Sequence, residues 1–256
     1  MNWLFIIIPL IMFNCDQNGN DSDSSFYIKN INISSEGISA SSNIYIQFSS
    51  SINEDNFTLL NNTVLDADGD EVELDFSSAL KHFEQQTSYI TINGDAPNFW
   101  YDKSTNTIAI ITTTIEYNQD QENEILNEND DILIIKNKIS DEEGNSLDEN
   151  MKYTITKDTN INVSIVPNPG SHANFFSGGE GDKLSFYMTG VPENYVINIF
   201  DMNNDLISTQ DNNHIHAELS SFAVWTPEID IIPGIYKFEL FHNNNLEMQS
   251  VIVISH

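Results

Sequence analysis

Residues 44–48 read IYIQF, in which Ile44, Ile46 and Phe48 fall on one face of an extended strand. The two residues between them point to the opposite face, because side chains alternate across a strand. Residues 236–240, YKFEL, repeat this pattern nearly two hundred residues later. A period of two predicts strands with one face against a core and the other toward water.

Working outward from these stretches, several runs are continuously apolar rather than alternating. Residues 106–111 (NTIAII), 131–135 (DILII) and 251–254 (VIVI) predict more fully buried strands. Clusters of Asn, Asp and Gly separate the runs at short intervals, and only residues 77–86 (SSALKHFEQQ) favour a short helical turn. Many short strands with such spacing predict an all-β protein built of antiparallel β-sandwiches.

The chain is 256 residues long, which suits two modest domains or one large one. The predicted boundary lies at residues 157–162 (KDTNIN), after a strand at 152–156. It precedes 166–170 (VPNPG), whose prolines deny donors to a strand ladder and restart the chain in an extended form. We therefore expect two tandem sandwiches, at 26–157 and 161–256.

The N-terminus is predicted to carry an export signal. Residues 3–13 (WLFIIIPLIMF) are uncharged and apolar but too short to cross a bilayer as a helix, which is typical of a signal-peptide core. The only cysteine of the chain, Cys15, follows directly. Residues 1–16 resemble a bacterial lipoprotein signal, and the resemblance implies that Cys15 is lipidated. Residues 1–14 would then be the signal peptide and 15–25 a lipid-anchored flexible spacer. An ordinary signal peptide or an uncleaved anchor with an incidental cysteine is the alternative.

The charge excludes one class of partner. Asp and Glu number 39 against nine Lys and no Arg, and the formal net charge is −30. Proteins that grip nucleic acid neutralise phosphates with Lys and Arg, so binding to nucleic acid or to an anionic membrane surface is close to excluded. Residues 16–158 hold 28 of the acids and seven of the lysines, so the acidity is denser in the first predicted domain.

The first predicted domain resembles the bacterial Ig-like domains of surface-layer and other envelope proteins. The resemblance is carried by residues 41–57 (SSNIYIQFSSSINEDNF), the hairpin 65–74 (LDADGDEVEL) and 139–147 (ISDEEGNSL). It implies a turn between the last two strands closed by residues at three positions, which are Asp141, Gly144 and Asn145 here. Asp can bond its own backbone and Gly and Asn accept positive φ, which suits such a turn.

The second predicted domain resembles the C-terminal Ig-like modules of secreted Bacteroidetes proteins, including type IX secretion sorting domains. The residues that carry the resemblance are 166–169 (VPNP), 183–207 (KLSFYMTGVPENYVINIFDMNNDLI), Trp225 and 233–240 (PGIYKFEL). The resemblance implies an Ig-like sandwich and a role in secretion sorting.

Two acidic segments are candidate cation sites. Asp66, Asp68 and Asp70 alternate like the start of a calcium loop, but Gly69 is misplaced and no bidentate Glu follows, so a hairpin turn is preferred. Residues 116–131 carry seven carboxylates and no cation. Weak divalent-ion binding would relieve their repulsion, and a solvated loop is the preferred interpretation. No metal ligand is assigned.

Two further groups could hold a ligand. His214 and His216 would share a strand face and could bind a metal, but no third ligand is evident, so a surface pair is preferred. Phe99, Trp100 and Tyr101 could form an aromatic platform for a sugar ring, although burial of at least two of them is the commoner fate.

The motifs of hydrolases, zinc proteases and phosphate-binding loops are absent from the sequence, so we predict no enzymatic activity, no catalytic residue and no cofactor. The sequence predicts an outer-membrane lipoprotein of the cell envelope that acts as a structural, adhesion or partner-display module. Its contacts would be the membrane, through Cys15, and a protein or glycan partner. The alternative is a secreted glycan- or calcium-binding module whose C-terminal domain is a sorting signal.

Overall fold

The protein is all-β, as predicted. The computed structural model describes residues 25–33, 38–39, 43–60, 63–65, 71–73, 79–115, 122–124, 131–155, 157–158, 162–166, 184–189, 195–211, 221–225, 227 and 231–254. Within these ranges the secondary structure consists of strands and a single short 3-10 turn at Glu54–Asn56. No helix in the described ranges is long and apolar enough to span a membrane.

The described residues before position 160 form fifteen strands. They are β1 Ile28–Ile31, β2 Ile38–Ser39, β3 Ile44–Phe48, β4 Thr58–Leu59, β5 Thr63–Leu65, β6 Glu71–Glu73, β7 Leu80–Glu84, β8 Ile90–Ile92, β9 Phe99–Asp102, β10 Thr107–Ile110, β11 Thr113–Ile115, β12 Glu122–Glu124, β13 Asp131–Ile135, β14 Met151–Ile155 and β15 Lys157–Asp158.

Seven strands follow. They are β16 Asn162–Val166, β17 Leu184–Thr189, β18 Tyr195–Asp201, β19 Leu206–Asp211, β20 Ser221–Trp225, β21 Gly234–His242 and β22 Asn245–Ile254. We call residues 25–158 the N-terminal half and residues 162–254 the C-terminal half.

Two sheets enclose the core of the N-terminal half. The inner N sheet has the strand order β1-β3-β10-β9-β7-β4, and the outer N sheet has the order β14-β13-β8. Between them lies an apolar cluster, the N core. It takes Ile46 and Phe99 from the inner sheet, and Ile92, Leu133 and Ile155 from the outer one, all of them buried. The arrangement is a β-sandwich, with antiparallel pairing throughout both sheets.

The C-terminal half repeats this arrangement. Its inner C sheet has the order β19-β18-β21-β22, and its outer C sheet has the order β16-β17-β20. The C core between them is built from side chains such as Ile197 and Phe238 of the inner sheet and Phe186 and Trp225 of the outer sheet. Members of the N core end at Ile155. The domain boundary at 157–162 stays a prediction.

A third apolar cluster joins the two halves. The inner N sheet contributes Tyr45, Leu80, Trp100 and Ala109, and the C-terminal half contributes Met202, Ile235, Val251 and Val253, all of them buried. We call this cluster the joint. Since it uses the opposite faces of the two inner sheets from those that line the N core and the C core, four sheets stack with three apolar layers between them.

The joint corrects one expectation about the alternating strands. Tyr45 and Gln47 on β3 and Lys237 on β21 were assigned to the water-facing side by the period of two, and all three are buried. Tyr45 lies in the joint, while the Gln47 side-chain amide donates to the Thr105 carbonyl at 3.1 Å. The reason is that the second face of each inner sheet is covered by the other half of the chain.

The continuously apolar runs have mixed outcomes. Of the predicted run 106–111, residues 107–110 are buried throughout while Asn106 and Ile111 are half-buried. Residues 251–254 are buried throughout, as predicted, because both faces of the inner sheets are covered. Strand β13 is different, because Ile132 and Ile134 are only half-buried. It belongs to the outer N sheet. Its buried residues lie on the face toward the N core, and Ile132 and Ile134 lie on the opposite face.

The helical turn expected within residues 77–86 is wrong. Residues Leu80–Glu84 form strand β7, which pairs with β9 and β4. The segment has helix-forming residues, but Phe83 reaches the N core and Leu80 reaches the joint only from an extended chain. Tertiary packing therefore overrides the local propensity.

Candidate functional site

Most of the sequence-predicted site residues lie outside the described residues. These are Cys15, Asp66, Asp68, Asp70, His214, His216 and most of the acidic segment 116–131. On either side of these aspartates, β5 pairs antiparallel with β6 in a register that sets Leu65 opposite Glu71. Among the residues that the structure describes, no three His, Cys, Asp or Glu side chains come together as a metal site.

Asp131, the last carboxylate of the acidic segment, is buried and has a structural partner. The Asn93 side-chain amide donates to its carboxylate, and the Asn93 side-chain oxygen accepts from the Ile132 backbone amide at 2.9 Å. Asn93 sits in a turn with φ +54°, followed by Gly94 at φ +97°. Asp131 thus ties the start of β13 to the turn after β8, and its burial removes it from a solvated loop.

The aromatic segment is buried, which confirms the preferred interpretation. Phe99, Trp100 and Tyr101 are 1%, 5% and 0% exposed. Phe99 and Tyr101 point into the N core, and Trp100 points the other way into the joint. These three side chains are therefore packing residues and do not present an open platform to a sugar ring.

His82 lies beside this segment and was not among the residues predicted from the sequence. The His82 ring stacks on Trp100 with 4.4 Å between ring centroids and 3° between planes. Its Nδ1 atom is buried and has no hydrogen-bond partner. Burial lowers the pKa of His82 to about 4, because desolvation penalises the charged imidazolium. No signal in the sequence marks His82, because its position opposite Trp100 follows only from the β7–β9 register.

The turn that contains Asp141 forms as the resemblance implied. The Asp141 carboxylate accepts from the backbone amides of Glu143 at 3.0 Å and Asn145 at 2.8 Å, and from the side chains of Asn145 at 3.0 Å and Ser50 at 3.2 Å. Gly144 adopts φ +88°. Desolvation raises the pKa of Asp141, but the hydrogen bonds from Asn145, Ser50 and Glu143 outweigh it and hold the pKa below its usual value.

A cleft of about 400 Å³ lies beside this turn, lined by oxygen-bearing side chains. Its lining residues are Ser25, Ser49, Ser50, Ser51, Asp141, Glu142 and Glu143. Three of the serine hydroxyls already have partners.

The Ser49 hydroxyl accepts from the Tyr27 amide at 3.0 Å. The Ser50 hydroxyl donates to Asp141, and the Ser51 hydroxyl donates to Asn106 at 2.9 Å. Lys103 approaches Glu142 at 2.5 Å. The cleft therefore offers carboxylate oxygens at the surface, while three of its four serine hydroxyls are engaged by neighbouring residues, and the Ser50 hydroxyl among them joins the β3 end to the Asp141 turn.

Polar side chains fasten the two edges of the joint. At one edge, the Asn43 side-chain amide donates to the Val251 carbonyl at 3.0 Å, and the Asn43 backbone amide donates to the Ser250 hydroxyl at 2.8 Å. At the other edge, the buried Asp102 carboxylate accepts from the Ile235 amide at 3.4 Å. These bonds join residues more than 130 positions apart in the chain.

Buried Lys237 lies on the joint face of β21. Its ammonium donates to the Asn204 side-chain oxygen and stands 5.6 Å from the centre of the Phe200 ring. The amide oxygen and the ring face both stabilise a cation that has been removed from water. Lys237 thus fixes the turn after β18 against the inner C sheet.

Several solved structures resemble this chain at low sequence identity and low TM-score. A segment of native alpha-2-macroglobulin from Escherichia coli is 12% identical, with 90% of this chain and 72% of that chain covered and a TM-score of 0.28. Dimeric latent PorU from Porphyromonas gingivalis is 11% identical, with coverages of 90% and 20% and a TM-score of 0.27. The S-layer protein rSbsC is 10% identical, with coverages of 90% and 41% and a TM-score of 0.19.

No protein-family model matches the sequence, and no curated protein matches it. At the TM-scores above, the likeness to solved structures carries no argument about what this chain does.

Proposed function

We propose that the chain is a non-enzymatic lipoprotein of the bacterial cell envelope, whose β-sandwich body serves as a structural, adhesion or partner-display module. The proposal is supported first by the N-terminal pattern, in which an apolar run of signal-peptide length leads directly to the single cysteine. Lipidation of Cys15 would tether the body, and the flexible spacer 15–25 would separate it from the membrane.

One structural observation carries the proposed non-enzymatic role. Three side chains that could carry chemistry lie among the described residues, and each is engaged in packing or in a turn. They are Trp100 in the joint, Asp131 at the start of β13 and Asp141 in its turn. Side chains that are held in this way support a rigid scaffold.

Metabolic labelling tests the anchor. Cells expressing the natural chain or its Cys15→Ala variant are fed a palmitate analogue, and the purified chains are compared for label. Label on the natural chain alone is expected, because the chain contains one cysteine. Equal label on both chains, or label on neither, removes the anchor from the proposal. Protease shaving of intact cells then separates surface exposure from a periplasmic location.

A second candidate function is calcium or glycan binding, and the carboxylates of the cleft beside Asp141 support the calcium part of it. Carboxylate oxygens are the ligands that Ca²⁺ prefers, and Glu142 and Glu143 present theirs at the rim. Calorimetry with CaCl₂ and a thermal-shift series with polysaccharides test this candidate. The double variant Glu142→Gln/Glu143→Gln is the control, and a flat response from the natural chain discards the candidate.

The proposed sorting role of the C-terminal half is tested separately. A reporter joined to residues 161–256 is expressed in a host with type IX secretion. Export of the reporter to the cell surface is expected if this half acts as a sorting signal, and retention in the periplasm rejects the role.

A further inference from the structure

The four stacked sheets bring distant parts of the chain to the same end of the molecule. On the inner N sheet, β1 pairs with β3 so that Ile28 lies opposite Phe48, and the Ser49 amide donates to the Tyr27 carbonyl at 2.9 Å. The chain therefore enters the body beside the Phe48 end of β3. We call this end of the inner N sheet the near end.

The last described strand leaves the body at the near end as well. Asp102 is level with Gln47 across β9, β10 and β3, because Thr107 of β10 lies opposite both of them. The Asp102 carboxylate contacts the Ile235 amide, and Gly234 is opposite Ile254 in the β21–β22 pair. Ile254 thus lies one strand away from a residue that touches the near end.

We propose that the two halves are locked back to back by the joint into one rigid body, with the incoming strand β1 and the outgoing strand β22 at its near end. This arrangement differs from an end-to-end rod, in which the two sandwiches would be linked in series and the last strand would lie far from the first.

The composition of the joint explains why the lock would be rigid. Its buried apolar side chains are 0–5% exposed, so sliding one inner sheet over the other would expose apolar surface to water. Hydrogen bonds from Asn43 and to Asp102 lie at separate points of the contact, so they resist rotation as well as separation. Interdomain contacts of this apolar character restrict relative motion of the parts they join.

The rigid body has a directional consequence, which rests on the proposed anchor at Cys15. Strand β10 runs from Thr107 at the near end to Ile110, which lies opposite Ile44 at the far end. The β11–β12 hairpin, with Ile115 paired to Glu122, continues from there. With Cys15 anchored, the membrane lies on the side of the near end. This acidic hairpin is then directed away from the membrane, while residue 254 lies on the membrane side of the body.

Distance measurements between spin labels test the lock directly. Tyr27→Cys and Ile232→Cys are introduced together in a full-length Cys15→Ser chain, because both side chains are exposed, by 53% and 74%. Three strand spacings of about 4.8 Å and one sheet spacing of about 10 Å separate β1 from the C-terminal half near Asp102, which gives a backbone distance of about 20 Å.

A single narrow distribution below about 35 Å, which allows for the length of the labels, is the expected result. A broad distribution, or one centred well beyond that distance, overturns the proposal. The chain lacks Cys15 in this experiment, so a failure of the lock is distinct from a failure of the anchor.

A joint variant gives a second measurement on the same labels. Val253→Asp puts a carboxylate into the joint and is expected to broaden the distribution while strand content is retained by circular dichroism. Ile134→Asp, at a half-buried position on the outer N sheet, is the matched control and is expected to leave the distribution narrow. Equal effects of the two variants on the width contradict the role of the joint.

Discussion

At the residue scale, His82 joins a packing role to a sensitivity to pH. Its ring is stacked on Trp100, its Nδ1 has no partner, and burial lowers its pKa from 6.5 to about 4. Between these two values the unfolded chain binds a proton that the folded chain does not. The contribution of neutral His82 to the free energy of unfolding is therefore complete above pH 6.5. It is lost progressively as the pH falls toward 4.

His82→Phe keeps an aromatic ring on Trp100 and removes the titration. Between pH 7 and pH 4.5 the free energy of unfolding of the natural chain should fall by about 1–2 kcal/mol more than that of the variant, after allowance for the partial exposure of the ring. Urea unfolding at several pH values measures the difference. Parallel pH profiles for the two chains would show that His82 is not held neutral.

Asp141 is the residue on which the turn between β13 and β14 depends. Asp141→Ala leaves the amides of Glu143 and Asn145 without their acceptor, and we expect the free energy of unfolding to fall by about 2–3 kcal/mol. Glu142→Ala is the control, because Glu142 is exposed and its ion pair with Lys103 is worth at most about 1 kcal/mol. A similar small loss in both variants would place the stability of the turn elsewhere.

At the element scale, the hydrophobic pattern of a strand predicted its core-facing residues but not the residues that face the joint. Alternation in β3 and β21 correctly predicted strands and their core-facing residues, such as Ile46 and Phe238. It failed for Tyr45 and Lys237, because a period of two describes a sheet with one covered face. The uninterrupted apolar run of β22 was the available signal that both faces of an inner sheet are covered.

Strand β7 shows a second physical limit of prediction. The side chains of Leu80 and His82 gain their partners only when β7 lies next to β9, and the two strands are connected through β8 in the other sheet. Local sequence does not contain this pairing. The Asp141 turn, in contrast, was predictable, since its bonds join residues two to four positions apart.

The β9–β21 contact offers a test of how tightly the inner sheets approach. A Cβ atom on Gly234 would lie 3.0 Å from the Asp102 carboxylate, which is itself held by the Ser104 amide at 2.9 Å and hydroxyl at 2.6 Å. Gly234→Ala should therefore lower the free energy of unfolding by about 1–2 kcal/mol. In an Asp102→Ala background the same substitution should cost close to nothing, because the crowded oxygen is gone.

Gly144→Ala is the matched control for this cycle. Its φ of +88° strains any other residue, but no atom lies within 4 Å of the added Cβ. Its cost should be the same with and without Asp102. If Gly234→Ala costs the same in both backgrounds, measured by urea unfolding, the two inner sheets are not in close contact at this point.

At the scale of the whole molecule, the net charge of −30 opposes the compact state. Two ion pairs, Lys81 with Glu54 and Lys103 with Glu142, offset it locally within the described residues. Many of the other carboxylates repel one another across the surface. Such repulsion acts over about 30 Å at 10 mM salt and over a few Å at 0.5 M.

The melting temperature should therefore rise by about 3–6 °C between 10 mM and 0.5 M NaCl, which corresponds to about 1–2 kcal/mol for a chain of this size. Neutralising three exposed acids in the variant Glu84→Gln/Asp148→Asn/Glu149→Gln should raise the melting temperature at 10 mM NaCl and make it less dependent on salt. Lys152→Gln, which removes an exposed cation, should do the opposite.

Since the repulsion crosses the joint as well as each sandwich, a locked molecule should respond with one shifted transition. Two transitions that separate at low salt would show that the halves unfold independently.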